Sequence, residues 1–208
     1  RGVTGTWLSK NITPANDRVV PVRLGQENEF KLFSPNLARA MLEPRTATLL
    51  SPEASERTPY LRQNGEPAAY RPLVTGKEGF ANVPPGTEFG GNPALQNGPV
   101  GLMGANPQLT HIAINSSVPL VAGAPSGAIY QWAAGLLEPI SVLPPAEGSA
   151  ITEAQSIGSG PGSMRGAVSG DGSRVFWSTG NYDFTTNGLT ALYLRDTEAD
   201  VTARLDVA

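Results

Sequence analysis

Apolar positions along this chain fall in short runs bounded by turn residues, without the three-to-four-residue rhythm of an amphipathic helix. Three stretches share one arrangement: an apolar run, a turn of the form Ser/Asn-Pro/Gly-x-x-x-Arg/His, and a second apolar run. They are Phe30–Pro44 (FKLFSPNLARAMLEP), Gly101–Ser116 (GLMGANPQLTHIAINS) and Arg165–Thr179 (RGAVSGDGSRVFWST). Each is followed by a further pair of runs, starting at Pro59, Ala128 and Ala191. The matched turn positions Ser34, Asn106 and Ser169 recur 72 and 63 residues apart, and Tyr60, Tyr130 and Tyr193 recur 70 and 63 apart. A unit of four short strands repeated in this way is the pattern of a blade array.

The pattern predicts strands at Phe30–Phe33, Ala38–Leu42, Thr58–Arg62 and Ala69–Val74 in the first unit, with an Asn64-Gly65 hairpin turn. The second unit reads as Val100–Ala105, His111–Asn115, Ala128–Trp132 and Leu137–Leu143. The third reads as Arg165–Ser169, Ser173–Ser178, Ala191–Arg195 and Val201–Val207. Runs such as Val175-Phe176-Trp177 are nearly continuously apolar, as strands covered on both faces should be. Thr6–Thr13 reads as a lone outer strand of a preceding unit. The organisation is therefore an outer strand and linker (1–29), a unit (30–76), a long loop (77–99), a unit (100–144), a loop (145–164) and a unit (165–208). The long connections Arg45–Arg57, Lys77–Pro99 and Pro144–Met164 are rich in Pro, Gly, Asn and Ser, with single helical turns expected near Pro52–Arg57 and Thr152–Ser156.

Composition narrows the classes. The 24 Gly and 19 Pro favour turns over long helices, and 39% hydrophobic residues suffice for a core. A net charge of −3 without any run of Lys or Arg offers no footprint for nucleic acid. Cysteine is absent, which removes disulfides and thiolate metal sites. The apolar stretches are too short for a membrane span. The chain opens on Arg1 without a signal segment and reads as a piece of a longer polypeptide.

The third unit, Ser169-Gly-Asp-Gly-Ser-Arg-Val-Phe-Trp-Ser followed by Ala-Leu-Tyr-Leu-Arg-Asp196, resembles the TolB-type, WD-repeat-like propeller repeat. Ser34-Pro-Asn-Leu-Ala-Arg and Asn106-Pro-Gln-Leu-Thr-His are degenerate copies of its turn. The resemblance covers roughly residues 28–208 and is similar in wording to exported bacterial propeller proteins. It implies an all-β partial β-propeller of three four-stranded blades plus one orphan strand, secreted or at the cell surface. It transfers no catalytic residues. Three blades form an arc, so the free faces and edges call for completion by other blades or a second copy.

Candidate chemistry lies outside the repeat. The single histidine, His111, takes the slot of Arg39 and Arg174 directly after the turn, which reads as a turn-supporting position. One histidine and no cysteine exclude Cys–His pairs and His-rich metal sites within the chain. No phosphate-cradling glycine loop, nucleophile elbow or calcium loop occurs, and no cofactor is expected. The loop carboxylates Glu53, Glu56, Glu78, Glu88, Glu153 and Asp183 would gather on one face, where a glycosidase would need two of them about 5 to 9.5 Å apart. Asn181, Tyr182, Asp183 and Phe184, joined by Phe80 and Phe89 of the long loop, form the candidate ligand set. Aromatic rings stack on the apolar face of a sugar while Asn and Asp meet its hydroxyls. The reading is a non-catalytic binding or scaffold module that contacts polysaccharide or protein through its loop-rich face. Its rivals are part of a propeller glycoside hydrolase or lyase, and a structural segment that assembles into oligomers or filaments.

Overall fold

The six-residue turn of the repeat closes in the same way three times. In each, the first residue's side-chain oxygen accepts the N–H five positions on: Ser34 Oγ from Arg39 at 2.9 Å, Asn106 Oδ1 from His111 at 3.0 Å, Ser169 Oγ from Arg174 at 2.9 Å. The backbone N–H of that first residue donates to the carbonyl of the same partner at 3.0, 3.0 and 2.9 Å. The fourth position is left-handed every time, at φ 57° in Leu37, 54° in Leu109 and 88° in Gly172. A short polar side chain that can replace a backbone acceptor is what this turn needs, and Ser and Asn supply it.

These turns belong to an all-β fold with almost no helix among the described residues. The computed structural model describes residues 11–12, 14, 29–44, 48–65, 67–91, 98–154, 156–157, 166–179 and 191–206. Among them lie three antiparallel sheets, none closed on itself. The first is β1 (Phe30–Phe33), β2 (Arg39–Leu42), β3 (Tyr60–Gln63) and β4 (Ala69–Pro72), paired in chain order. The second is β5 (Val100–Ala105), β6 (His111–Ser116), β7 (Ala128–Ala133) and β8 (Leu136–Pro139). The third has the two-residue β9 (Ser156–Ile157) beside β10 (Arg174–Ser178), β11 (Leu192–Asp196) and β12 (Val201–Arg204). The lone strand expected at Thr6–Thr13 falls, apart from Asn11 and Ile12, outside the described residues.

Strand alternation decides how the sheets meet. In the second sheet Ile112, Ile114, Tyr130 and Trp132 face the first, where they join Met41, Leu61, Leu73 and Val74 in one buried cluster. The opposite side chains of the same strands, Ala113 and Ile129, pack with Val175, Trp177 and Tyr193 of the third sheet. Both faces of the middle sheet are thus covered, which is why its strands read as continuous apolar runs. Polar links cross the same seams. Arg39 Nη1 donates to the Gln108 carbonyl at 3.1 Å, Gln131 Nε2 to the Gly172 carbonyl at 2.7 Å, and the Glu43 carboxylate accepts the Leu102 N–H.

The recurring tyrosines carry more than packing. Leu50 N–H donates to Tyr60 Oη at 3.2 Å and Leu120 N–H to Tyr130 Oη at 3.1 Å, each ten residues upstream. Burial pushes both phenol pKa values up. The connections Thr48–Pro59 and Val118–Gly127 therefore share a form, with Ala54 and Ala124 buried at matching places. Tyr193 differs: its hydroxyl donates to Glu147 Oε2 at 2.8 Å, and burial together with that carboxylate pushes its pKa up to about 12.

Two local expectations are corrected. The leading strand of the third sheet keeps only part of the expected Arg165–Ser169. Val168 bridges to Val175 and the Ala167 carbonyl accepts the Phe176 N–H at 2.9 Å, while the named strand is β9, which pairs Ile157 with Trp177 and Ser156 with Ser178. The same place carries a bulge in the other two sheets, between Phe30 and Leu32 and between Leu102 and Gly104. Phe30, Leu102 and Ile157 are register equivalents, each opposite the eighth residue after the turn start: Leu42, Ile114 and Trp177. Neither single-turn helix forms at Pro52–Arg57 or Thr152–Ser156; the one 3₁₀ turn among the described residues is Pro145–Glu147, set by Pro144 and Pro145.

Candidate functional site

The loop after β4 is anchored before it is exposed. Asn82 spends its whole side-chain amide on backbone: Oδ1 accepts the Thr75 N–H at 2.9 Å, and Nδ2 donates to the carbonyls of Leu73 at 2.8 Å and Gly135 at 3.0 Å. One amide therefore ties the loop both to its own sheet and to the β7–β8 turn of the next. Beside it Arg71 Nη2 donates to the Ala134 carbonyl at 2.9 Å, with its guanidinium 5.2 Å from the centroid of the Trp132 ring. These bonds fix the walls of an open cleft of about 240 Å³ at the junction of the first two sheets. Its lining includes Glu53, Arg71, Phe80, Asn82, Gly135 and Leu136.

Phe80 stands at this cleft with 53% of its surface exposed. A tight turn, in which the Phe80 N–H donates to the Lys77 carbonyl at 2.9 Å, holds its backbone. Arg71 and Glu53 place opposite charges in the same lining, and Leu136 adds an exposed apolar surface. An aromatic ring, a guanidinium and a carboxylate around a shallow depression form a set that can stack on and hydrogen-bond a polar ligand.

Phe89 does not join Phe80. It is completely buried, in the cluster with Leu73, Val83 and Tyr130, so it presents no surface to a ligand. A carboxylate from the β2–β3 connection is the cause: Glu56 Oε2 accepts the N–H groups of Phe89 at 3.1 Å and Gly90 at 2.6 Å, which turns the loop inward at that point. Glu56, one of the loop carboxylates, thereby acts as a backbone anchor. Asn181, Tyr182, Asp183 and Phe184 lie outside the described residues. No family model, curated protein or solved structure matches the chain.

His111 sits where the repeat places it. Its Nδ1 lies 3.1 Å from Thr110 Oγ1, and its ring packs on Gly172 of the third sheet, a supporting position at a seam. Among the described residues no cluster of three His, Cys, Asp or Glu side chains is placed to hold a metal ion, and no helix is long and apolar enough to cross a membrane. Sequence reading did not single out Arg71, Asn82 or Leu136. The available signal was the Ala134-Gly135 turn followed at once by an apolar residue, opposite an Arg one position before Pro72.

Proposed function

We propose that this protein is a non-catalytic binding module, built as an arc of propeller-type blades, that takes a polysaccharide through the cleft around Phe80, with a protein surface as the other partner class for the same loop-rich face. The blade reading is supported by the three copies of one turn, by sheets paired in chain order, and by successive sheets stacked through equivalent register positions. The resemblance to TolB-type repeats of exported bacterial proteins supports a secreted or cell-surface setting.

The observation that carries the ligand reading is the exposed ring of Phe80, held by a rigid turn beside Arg71 and Glu53. A solvent-facing phenyl held beside a guanidinium and a carboxylate in one lining adds little to stability and is useful for recognition. Sugars fit this chemistry because they present apolar C–H faces to a ring and hydroxyls to charged groups. The test is a glycan array followed by titration calorimetry on the strongest hit, with Phe80→Ala and Arg71→Ala beside the parent chain. Phe80→Ala should weaken binding at least about tenfold, the loss of one stacking contact at about 1.4 kcal/mol. Unchanged binding in both variants would remove the cleft from the reading, and an empty array with capture of a protein ligand sensitive to Phe80→Ala would reassign it to a protein partner.

A further inference from the structure

We infer that the free face of the third sheet is a docking face for another four-stranded sheet of this same repeat, with Arg174 as the residue that reaches the incoming tight turn. The inference rests on the blade-array reading and is independent of any ligand at the Phe80 cleft.

Register carries it. Counting from the first turn residue, Met41, Ala113 and Phe176 are equivalent, and so are Leu61, Gln131 and Leu194. In the first two sheets these positions face the next sheet and are buried: Met41 is 2% exposed against the second sheet, and Ala113 is sealed against the third. In the third sheet the same positions hold apolar residues that no further sheet covers among the described residues. Phe176 is 38% exposed, Leu192 and Leu194 are half-buried, and Val201 stands out at the far strand. A solvent face of a sheet normally carries polar residues at these places, so this one has the composition of a seam.

The polar elements of the seam repeat too. Arg39 and His111, the residues directly after the turn, each reach the tight turn of the following sheet: Arg39 through a bond to the Gln108 carbonyl, His111 by packing over Gly172. Arg174 is their equivalent, and its side chain extends into solvent beside Asp196 at 3.0 Å. The occupant this geometry fits therefore presents a turn carbonyl to Arg174 and an aliphatic or aromatic pair of middle strands to Phe176 and Leu194. The second unit already presents such a surface in Ile112, Ile114, Tyr130 and Trp132. A second copy of this chain is a poorer fit through its first sheet, because the matching positions there, Ala40, Leu42, Tyr60 and Arg62, are themselves buried.

The chain contains no cysteine, so a single introduced thiol reports the face directly. Phe176→Cys and Met41→Cys are labelled with a maleimide in the full chain, and again in a full chain extended behind Ala208 by a duplicate of residues 98–154. Phe176→Cys should label readily in the unextended chain and at least about tenfold more slowly in the extended one, while Met41→Cys labels slowly in both. Labelling of Phe176→Cys as slow as Met41→Cys in the unextended chain would show the face already covered and overturn the inference. So would labelling unchanged by an added unit whose tryptophan emission reports it folded. Protection of Phe176→Cys that rises with protein concentration alone would assign the face to a second copy instead. Should the added unit fail to fold, Phe176→Asp and Met41→Asp in the unextended chain decide: the inference requires a silent Phe176→Asp and a destabilised Met41→Asp. If Met41→Asp is silent as well, the register fails and the blade reading falls with it.

Discussion

The ring of His111 lies so close over Gly172 that a Cβ built on the glycine would sit 2.1 Å from the ring's Cγ. Gly172 also holds φ at 88°, a conformation L residues rarely adopt. Backbone and neighbour therefore demand glycine for separate reasons. Gly172→Ala should cost about 3 kcal/mol, an overpacking penalty added to left-handed strain. In a double-mutant cycle by urea unfolding, His111→Ala should return most of the steric part and leave the backbone part. A cycle with no coupling between the two sites would mean that the contact carries no energy.

Leu37 and Leu109 occupy the same left-handed turn position, at φ 57° and 54°, yet substitution to glycine should act in opposite directions. Leu37 is 65% exposed, so its side chain adds little and the backbone strain of about 1–2 kcal/mol dominates. Leu37→Gly should stabilise by about 0.5 kcal/mol after the extra entropy of the unfolded glycine is subtracted. Leu109 is fully buried in the seam of the first two sheets. Removing it opens a cavity worth about 3 kcal/mol, which outweighs the relief. Chemical denaturation of the two variants gives the signs, and a shared sign would refute the balance.

Tyr130 Oη is the acceptor for the Leu120 N–H in a buried connection. Tyr130→Phe keeps the ring and deletes the acceptor, leaving that N–H without its bond. The cost should be about 1–3 kcal/mol, the price of an unsatisfied buried donor. Tyr60→Phe should behave alike through Leu50. A change below about 0.5 kcal/mol in both would show that the hydroxyls only fill space.

The turns and the tyrosines were legible because their chemistry is local. A Ser or Asn at the first position, an Arg or His at the sixth and a fixed spacing are written in the residues themselves, whereas the left-handed backbone at Leu37 and Leu109 is not, since leucine rarely adopts it. The matching of the connections through Leu50 and Leu120 was not legible, since Ser51-Pro52-Glu53 and Val121-Ala122-Gly123 share no side-chain pattern and the likeness lies in the backbone. β9 escaped because a two-residue strand shows no alternation, and residues 158–166 separate it from the turn it serves. At the candidate site Phe80 and Phe89 look alike in sequence. The carboxylate of Glu56, distant in the chain, turns one inward, and only tertiary structure shows that.

Acid should expose the third turn. Asp171 Oδ1 accepts from Ser169 Oγ at 2.6 Å, from the Ser173 N–H at 3.0 Å and from Ser173 Oγ at 3.0 Å. The Ser169 hydroxyl, followed by the Ser173 donors, holds its carboxyl at about 2, below the ordinary 3.8. A folded pKa below the unfolded one means that folding favours the charged form. The contribution is complete above the unfolded value and is lost as pH falls through the folded one, so it disappears between about pH 4 and pH 2. Asp196, held down by the Ala199 N–H and by Arg174, adds to the same acid limb. The first turn shows how to remove the effect: Asn36 occupies the equivalent position and accepts Ser34 Oγ at 2.8 Å and the Ala38 N–H at 3.1 Å without any charge. Asp171→Asn should therefore keep the turn and the stability at neutral pH while flattening the decline toward pH 2. Urea midpoints of both chains across that range decide it. Parallel acid limbs would show that Asp171 titrates alike in the folded and unfolded chain.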